Sequence, residues 1–404
     1  MHMDGREKRG LEIAALTPIK KAKSGFVVPS QTTRGVAYMV NLDGDYPTCN
    51  CPDYEGRMEK CKHIWAVEFS IRREQRPDGT TVVTKTVRVT YSQDWHNYNL
   101  AQTREQEHFV DFLHALCEGI MQPDQRMGRP RLPLSDAVFA IVLKVYSTMS
   151  GRRATGDMVG AAEKGLIDKV PNYSTAARYL ENPALTPLLK TLIEESALPL
   201  KAVECDFAVD SSGFSTSVYE RWFDHKYGRV RSKQTWVKTH LMCGVNTHIV
   251  TAVEATPFES ADAPQLPALL NTTASTFNVR EVSADKAYSS RNNLRAVQAV
   301  GAVAYIPFKE RTTGMGGHTR PYDPLWHRMW AYYNYNRDAF LMHYHKRSNV
   351  ETTFSMIKAK FGGRVRSKTP IAQVNEVLCK VLCHNICVLI QSMYELGIEP
   401  EFVN

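Results

Sequence analysis

The stretch KAVECDFAVDSSGF, from Lys201 to Phe214, decides the fold of the larger part of this chain. Apolar residues recur at every second position, which is the period of a β-strand whose side chains alternate between two faces. One face carries Val203, Cys205, Phe207 and Val209, and the other carries Glu204, Asp206, Ala208 and Asp210. Because Asp210 ends the apolar run and precedes Ser-Ser-Gly, we expect it at the strand's carboxyl end or just past it.

The residues that follow predict an alternation of strands and helices. QTWVKTHLMCGVNTHIVTAVEAT predicts two strands joined by a tight turn at 246–248. Helical and strand patterns then alternate in APQLPALLNTTA, VREVSAD, SRNNLRAVQAV and AVAYIPF, before a glycine-rich loop (TTGMGGH) and a helical stretch from about Asp323 to Phe361. The order β-β-β-α-β-α-β-α is typical of an α/β fold with a mixed sheet flanked by helices.

Two acidic residues occupy matching positions in this pattern. Asp285 ends the short strand VREVSAD, much as Asp210 ends the first strand. Ligands of α/β sheets commonly bind off the carboxyl ends of strands, although an acid there also caps the following turn. Asp206 lies on the same strand face as Asp210 and is an alternative to it.

A third acid lies in YHKRSNVETTFSMIK, from Tyr344 to Lys358. On an α-helix each residue turns about 100°, which places Tyr344, Arg347, Glu351 and Lys358 in one arc of roughly 60°. Such an arc is either a working surface or a solvated charged stripe. If Asp210, Asp285 and Glu351 gather within about 5 Å, each ionised pair repels by about 3 kcal/mol. A divalent cation would stabilise that arrangement, and Mg²⁺ prefers carboxylate oxygens.

These residues resemble the DDE transposases of bacterial insertion sequences, which have a ribonuclease H-like catalytic domain. VDSSGF and SADKAYSS are similar to the first two acid motifs of that family, and Tyr344, Arg347, Glu351 and Lys358 match its Tyr-x2-Arg-x3-Glu-x6-Lys signature. The resemblance covers about residues 203–391. It implies that Asp210, Asp285 and Glu351 hold two Mg²⁺ (or Mn²⁺) ions, which cut transposon ends and join them to target DNA.

The resemblance also implies the partners of the protein. They are double-stranded DNA, as terminal inverted repeats and as target, and a second copy of the chain in a synaptic complex. Tyr344, Arg347 and Lys358 are implied to hold DNA phosphates, and the following basic run extends that surface with Lys360, Arg364 and Arg366, unless it is simply solvated. The alternatives to a transposase are a domesticated DNA-binding protein of the same fold and a metal-dependent DNA nuclease.

One departure from some relatives concerns the segment between the second and third acids. Asp285 and Glu351 are 66 positions apart, which is too short for the large β-rich insertion of those relatives. Cleavage through a hairpin intermediate with a flipped base is therefore in doubt. Trp326 and Trp330 precede Glu351 and are either base-stacking residues or, at their four-residue spacing, core residues.

A second motif lies near the front of the chain. Cys49, Cys51, Cys61 and His63 form a CxC-x9-CxH array. Three thiolates and one imidazole suit tetrahedral Zn²⁺, and four protein ligands leave no open position, which indicates a structural ion. The array resembles the SWIM zinc finger, a small ββα unit that binds DNA or protein.

Bulk composition is consistent with these motifs. The chain has 404 residues, a net charge of +8 and nine cysteines. The charge suits a polyanion partner, and the charged N-terminus MHMDGREKRG lacks the apolar core of a signal peptide. The apolar run VLCKVLCHNICVLI is interrupted by polar residues, and we expect it to be too short and polar for a membrane span. We therefore expect a cytoplasmic protein with reduced cysteines, and the resemblance to bacterial insertion-sequence transposases implies that it is bacterial and nucleoid-associated.

We predict four regions. They are a basic flexible tail (1–24), a SWIM-like zinc finger with a following strand (25–92), a helical DNA-binding region (93–200) and a ribonuclease H-like DDE catalytic domain (201–395). The helical region is either a helix-turn-helix module or a plain packing domain, with Ser174 as a candidate helix cap. Two weaker motifs are GRPR at Gly128–Arg131, either a minor-groove hook or a loop, and Cys379, Cys383 and Cys387, which we interpret as buried thiols.

Overall fold

The structure is a computed structural model, and it divides into two compact units, Met1–Gln93 and Asp94–Asn404. It describes residues 6, 9, 10, 13, 14, 17, 19–22, 24–30, 33, 36–42, 46–75, 81–85, 94–125, 127, 128, 131–216, 236–310, 312–315 and 321–402, with the backbone alone at 71–75 and 81–85. Arg129 and Pro130 of GRPR lie outside these residues, as does part of the glycine-rich loop.

The described part of the smaller unit contains two antiparallel sheets and short helices. Its elements are β1 (Lys20–Ala22), β2 (Gly25–Pro29), β3 (Ala37–Asn41), β4 (Thr48–Cys49), α1 (Pro52–Arg57), α2 (Lys62–Ser70), β5 (Ile71–Gln75) and β6 (Thr81–Lys85). β1 to β4 pair in sequence order, and β5 pairs with β6. The core of this unit extends into residues 1–24, the predicted flexible tail. Ile13 is fully buried there because the small sheet offers it an apolar face beside Val28 and Val40.

The larger unit begins with helices where the sequence predicts a helical region. They are α3 (Trp95–Thr103), α4 (Glu105–Glu118), α5 (Leu134–Tyr146), α6 (Gly151–Glu163), α7 (Tyr173–Leu180) and α8 (Leu185–Ala197). Ser174 is not the cap of α7, because the Asn172 side chain accepts from the Ser174 amide N at 3.0 Å. The helices share one buried core with the sheet that follows, so residues 94–200 and the sheet fold as one unit.

The sheet of the larger unit has five strands and mixed direction, as the sequence predicts. The following elements are β7 (Asp206–Ser215), β8 (Trp236–Gly244), β9 (Val250–Pro257), α9 (Leu266–Thr276), β10 (Glu281–Ala284), α10 (Arg291–Ala299) and β11 (Val303–Tyr305). The spatial order is β11-β10-β7-β8-β9, with β7 to β9 antiparallel and β7, β10 and β11 parallel. The predicted alternation also holds, since Phe207 and Val209 enter one core and Ala208 enters the other.

The last part of the chain is helical, and the helices are shorter than predicted. The stretch expected from Asp323 to Phe361 is divided into α11 (Pro324–Tyr335), α12 (Arg337–Tyr344), a 3₁₀ turn (His345–Arg347) and α13 (Ser348–Phe361). α14 (Pro370–Leu396) is longer than the apolar run suggested. By length and composition it passes as a membrane span, but 78% of its apolar window is buried inside the protein. It packs as a core helix.

Candidate active site

The register of the sheet brings Asp210 and Asp285 together. β10 runs parallel to β7 with Ala284 opposite Val209. Asp285 follows the last residue of β10 and is therefore the neighbour of Asp210. Asp210 lies within β7 and not at its end, because β7 continues to Ser215 through its pairing with β8. Ligands of such sheets bind at the carboxyl ends of strands. Here that position is the end of β10, the shorter strand, beside Asp210.

The 3₁₀ turn before α13 changes how the signature residues are presented. Tyr344 ends α12, Arg347 lies in the turn and Glu351 is in the first turn of α13, so they do not share one continuous α-helix. Their side chains still meet, with the Arg347 guanidinium 5.9 Å from the Tyr344 ring. Lys358, farther along α13, donates from Nζ to Ser212 Oγ of β7 at 2.6 Å.

Arg347 joins two of the three acids. Its Nη1 lies 2.7 Å from Asp210 Oδ2, and its Nη2 lies 2.6 Å from Glu351 Oε1. Burial raises the pKa of the Asp210 carboxyl, and the negative charges of Asp285 and Glu351 raise it further against the opposing effect of Arg347. Asp285 and Glu351 therefore both act electrostatically on Asp210, and one guanidinium lies between Asp210 and Glu351.

The three acids do not form a compact group of metal-type ligands among the described residues. In the part of the chain that the structure describes, one group of three or more metal-type ligands lies within 4.8 Å, and it is the Cys49 cluster. The planar fork of Arg347 lies between Asp210 and Glu351 and binds both carboxylates. The donor set fits a divalent cation, since it offers hard carboxylate oxygens whose mutual repulsion one Arg only partly offsets.

Asp206, the alternative to Asp210, is the first residue of β7 and has a different environment. Its Oδ2 lies 2.8 Å from Arg280 Nη2 and 2.6 Å from Lys346 Nζ. Burial acts to raise the pKa of Asp206, but hydrogen bonds from Arg280 and Lys346 outweigh it and hold the pKa below its usual value. Asp206 therefore has its charge balanced by two cations, and Lys346 also reaches Glu281 Oε2 at 2.7 Å.

The outer basic residues differ in what they contact. Lys360 forms an ion pair with Glu105 of α4, and Glu105 also accepts from Tyr146 Oη at 2.8 Å. Lys360 thus joins α13 to the helical region. Arg364 and Arg366 are exposed on the segment between α13 and α14, which we call the basic loop (Gly362–Lys368).

Two buried charged residues of α14 hold the backbone of the basic loop. Lys380, only 2% exposed, donates to Gly362 O at 2.8 Å and to Arg364 O at 2.5 Å. Glu376, 3% exposed, accepts from the Arg366 and Ser367 amides. Buried charges are costly unless hydrogen-bonded, so this pair fixes the loop firmly. A charged residue inside an apolar helical run, as in VLCKVLC, is the sequence signal for such a role.

The ionisation of Lys380 gives a pH-dependence of stability. Burial lowers the pKa of Lys380 from 10.5 to about 8, so the folded chain binds fewer protons than the unfolded chain between these values. We expect the free energy of unfolding to rise with pH across that window, by up to about 3 kcal/mol. Urea unfolding of the parent and of Lys380→Met from pH 7 to 10.5 checks this, with exposed Lys201→Met as the control. Parallel curves for parent and Lys380→Met would contradict it.

Trp326 and Trp330 are partly buried and pack beside the second core. Their indole N–H groups donate to Thr313 O at 3.1 Å and Thr312 O at 2.9 Å, respectively. Both side chains therefore hold a loop against α11. This favours the interpretation as packing residues over base stacking. His240 of β8 was not singled out from the sequence, and it is fully buried beside β7, opposite Ser211. Its Nδ1 lies 3.4 Å from Asp262 Oδ1 and 3.5 Å from Tyr288 Oη.

The smaller unit holds the predicted cysteine and histidine cluster. Cys49, Cys51, Cys61 and His63 are all buried, and their ligand atoms lie within 4.8 Å of one another. His63 Nδ1 is 3.9 Å from both Cys49 Sγ and Cys61 Sγ, near the ~3.6 Å that tetrahedral zinc bonds require. The hydrogen bond with Cys49 lowers the pKa of Cys61, which favours the thiolate. Three sulfurs and a ring nitrogen fit zinc.

In contrast, Cys379 and Cys383 are buried among apolar residues of α14, as predicted.

Comparison with known families agrees with both parts of the chain. The transposase DDE domain matches residues 201–386, which include Asp210, Asp285 and Glu351. The SWIM zinc finger matches residues 38–71, which include all four ligands of the zinc cluster. No curated protein matches the chain. A transposase DDE domain implies DNA binding. The chain therefore carries a transposase DDE domain at residues 201–386 and a SWIM zinc finger at residues 38–71, the two families that its sequence resembles.

Proposed function

We propose that this transposase cuts DNA at the ends of a mobile element and transfers the cut strands to target DNA by two-metal phosphodiester chemistry. The supporting observation is the sheet register that makes Asp210 and Asp285 neighbours, with Arg347 joining Asp210 to Glu351. Asp210, Asp285 and Glu351 would hold Mg²⁺ or Mn²⁺. Such ions, when bound, activate an attacking water or hydroxyl and stabilise the leaving oxygen.

The remaining residues of the site act on the DNA strand. Arg347 binds Asp210 and Glu351, Tyr344 lies beside Arg347, and Lys358 lies against β7. Each of these three basic or phenolic side chains carries a donor for phosphate oxygens. Burial lowers the pKa of Lys358, but its bond to Ser212 keeps the ammonium beside β7. Arg364 and Arg366 on the basic loop would hold phosphates farther along. We assign Lys360 a weaker role on DNA, because its charge is paired with Glu105. Two DNA ends require two copies of the chain in one complex.

The decisive experiment uses purified protein, Mg²⁺ or Mn²⁺, and DNA that carries the terminal repeats flanking the gene. We expect nicks at the repeat ends and joined strand-transfer products, both of which EDTA abolishes. Cleavage without any joined product would indicate a nuclease. Binding to the repeats without cleavage in either metal would indicate a non-mobile DNA-binding protein, and either result would contradict the proposal.

The position of Arg347 predicts how the metal affects stability. In the parent a cation competes with a guanidinium that already neutralises two acids. In Arg347→Ala this competition is absent, and the two charge-assisted hydrogen bonds, commonly about 1.5–3 kcal/mol each, are lost. We expect the metal-free variant to have a lower Tm than the parent and to gain more in Tm on adding Mn²⁺. Thermal unfolding with and without Mn²⁺ measures both.

A matched control for this prediction is Arg280→Ala. It removes a guanidinium from Asp206, the first residue of β7. Its response to Mn²⁺ should equal that of the parent. An Arg347→Ala protein whose Tm gain is no larger than that of the parent would show that Arg347 and the metal do not share the acids.

A further inference from the structure

A cleft lies between the helical region and the basic loop, away from the three acids. It encloses about 340 Å³. Its floor is apolar, with Ile141, Met158, Leu180 and Ala372, and its rim carries three cations (Lys144, Arg366 and Lys368) against one carboxylate, Glu181. The floor residues are at most 4% exposed. A ligand for this cleft therefore has a flat or compact apolar part and an anionic part beside it.

An aromatic ring stands at the mouth of the cleft. Tyr173, the first residue of α7, is 40% exposed and lines the cleft. The Arg152 guanidinium lies 5.0 Å from its ring centroid, with Nη2 3.3 Å from its Oη. Gly151 allows this placement, because a Cβ there would lie 3.3 Å from Tyr173 Cβ. The ring is thus oriented in advance, with its remaining surface free for stacking.

The rim of the cleft is rigid and connected to the catalytic strand. Glu376 and Lys380 fix the backbone of the basic loop from which Arg366 and Lys368 project. The loop also pairs with the last residue of β7. The Ser215 amide donates to Gly363 O at 3.0 Å, and the Val365 amide donates to Ser215 O at 2.9 Å. Ser215 is five residues beyond Asp210, about 16 Å along the strand. A DNA strand held at the acids is therefore within reach of the cleft.

We propose that this cleft binds one unpaired nucleotide of a DNA strand, with its base stacked on Tyr173 over the apolar floor and its phosphates on Lys144, Arg366 and Lys368. A duplex backbone alone would use the rim but not the floor. Base stacking on aromatic side chains next to a cationic groove is the usual basis of single-strand binding. This inference rests on the proposed function, because it takes DNA as the partner.

The test uses a single-stranded oligonucleotide that contains 2-aminopurine, whose fluorescence falls when the base stacks. It is titrated into Asp210→Asn protein, which keeps the cleft but should not cut DNA. Two further substitutions are made in that background. Tyr173→Ala removes the stacking ring, and Ala177→Phe fills the cleft from an exposed position while keeping every cation. Tyr335→Ala, at a 77% exposed tyrosine outside the cleft, is the matched control.

We expect quenching with the Asp210→Asn and Tyr335→Ala proteins and none with Tyr173→Ala or Ala177→Phe. The Kd for the oligonucleotide should rise roughly 5- to 150-fold in these two variants, as for the loss of one stacked base. Duplex affinity should change less than twofold, since the cations remain. Free deoxyadenosine monophosphate at the oligonucleotide's concentration should not displace it, because it lacks the neighbouring phosphates.

Three results would overturn the assignment of the cleft. They are equal quenching in all four proteins, an equal Kd for Tyr173→Ala and Tyr335→Ala, and displacement by the free mononucleotide. Each leaves duplex binding and cleavage by the parent intact, so the proposed function would stand. A parent that neither binds nor cuts DNA of any form would instead contradict the proposed function.

Discussion

Replacing Asp210, Asp285 or Glu351 by the corresponding amide should abolish metal-dependent cleavage and strand transfer. An amide is nearly isosteric with the carboxylate, so each variant keeps the shape of the site but loses one negative oxygen donor. Residues that only hydrogen-bond to a metal ligand commonly contribute 10–100-fold to metal affinity or activity. Loss of a ligand itself should therefore lower the cleavage rate by more than about 100-fold. Initial rates of nicking on a DNA end, at saturating Mg²⁺, measure the effect.

The three substitutions should not add to one another. Residues that hold one metal site act as a unit, so Asp210→Asn and the double variant Asp210→Asn/Glu351→Gln should be similarly inactive. Glu254→Gln is the matched control, because Glu254 lies in the same sheet in an ion pair with Lys190. It should cut DNA at the parent rate.

The same assay discriminates Asp210 from Asp206. Asp206 is neutralised by Arg280 and Lys346, so Asp206→Asn should lower stability and leave the nicking rate of the folded fraction within about tenfold of the parent. The stability cost follows from leaving Arg280 without its carboxylate and Lys346 with Glu281 alone. If Asp206→Asn is as inactive as Asp285→Asn while Asp210→Asn still cuts, the first acid has been wrongly chosen.

Short-range features of this fold could be read from the sequence. The alternation in Lys201–Phe214 predicted β7, and the end of the apolar run at Asp285 predicted the end of β10. The zinc ligands were also predictable, because two close pairs of side chains suffice to build the site. Each of these depends on residues within one or two elements.

Long-range features could not be read in the same way. The pairing of Val209 with Ala284 sets which residue of β7 faces Asp285, and it depends on packing between distant parts of the chain. Lys360 seemed free for DNA because its partner, Glu105, is 255 positions away. The 3₁₀ turn at His345–Arg347 was missed because three residues barely change the helical period.

Removing zinc should unfold the smaller unit. Its described core contains Ile13, Val28, Val40 and the apolar side of α2, together with the three ligand cysteines. Such a core is too small to offset the conformational entropy of the unit without additional bonds. Zinc binding to finger peptides supplies about 10–16 kcal/mol at neutral pH, which is comparable with the whole stability of a domain. We expect excess EDTA to release one zinc ion per chain and to unfold residues 1–93.

Hydrogen exchange with mass spectrometry locates this effect along the chain. After chelation, amides of β2, β3 and α2 should exchange at the rate of an unfolded chain, while those of β7, β8 and α14 stay protected. The protection in the larger unit should persist because its described core residues come from separate clusters that contain none of the zinc ligands. Cys61→Ala should reproduce the chelated state without EDTA, because it removes a ligand whose thiolate is already favoured.

Cys117→Ala is the control for loss of a buried thiol. Cys117 is buried in α4 of the larger unit, so its truncation should cost about 1 kcal/mol of packing and leave zinc content unchanged. The zinc interpretation fails if Cys61→Ala retains one zinc ion per chain, or if EDTA leaves the β2, β3 and α2 amides protected.

DNA binding by the chelated protein then shows how much each unit contributes to DNA affinity. Any affinity that survives belongs to residues 94–404, and any that is lost depends on the folded finger.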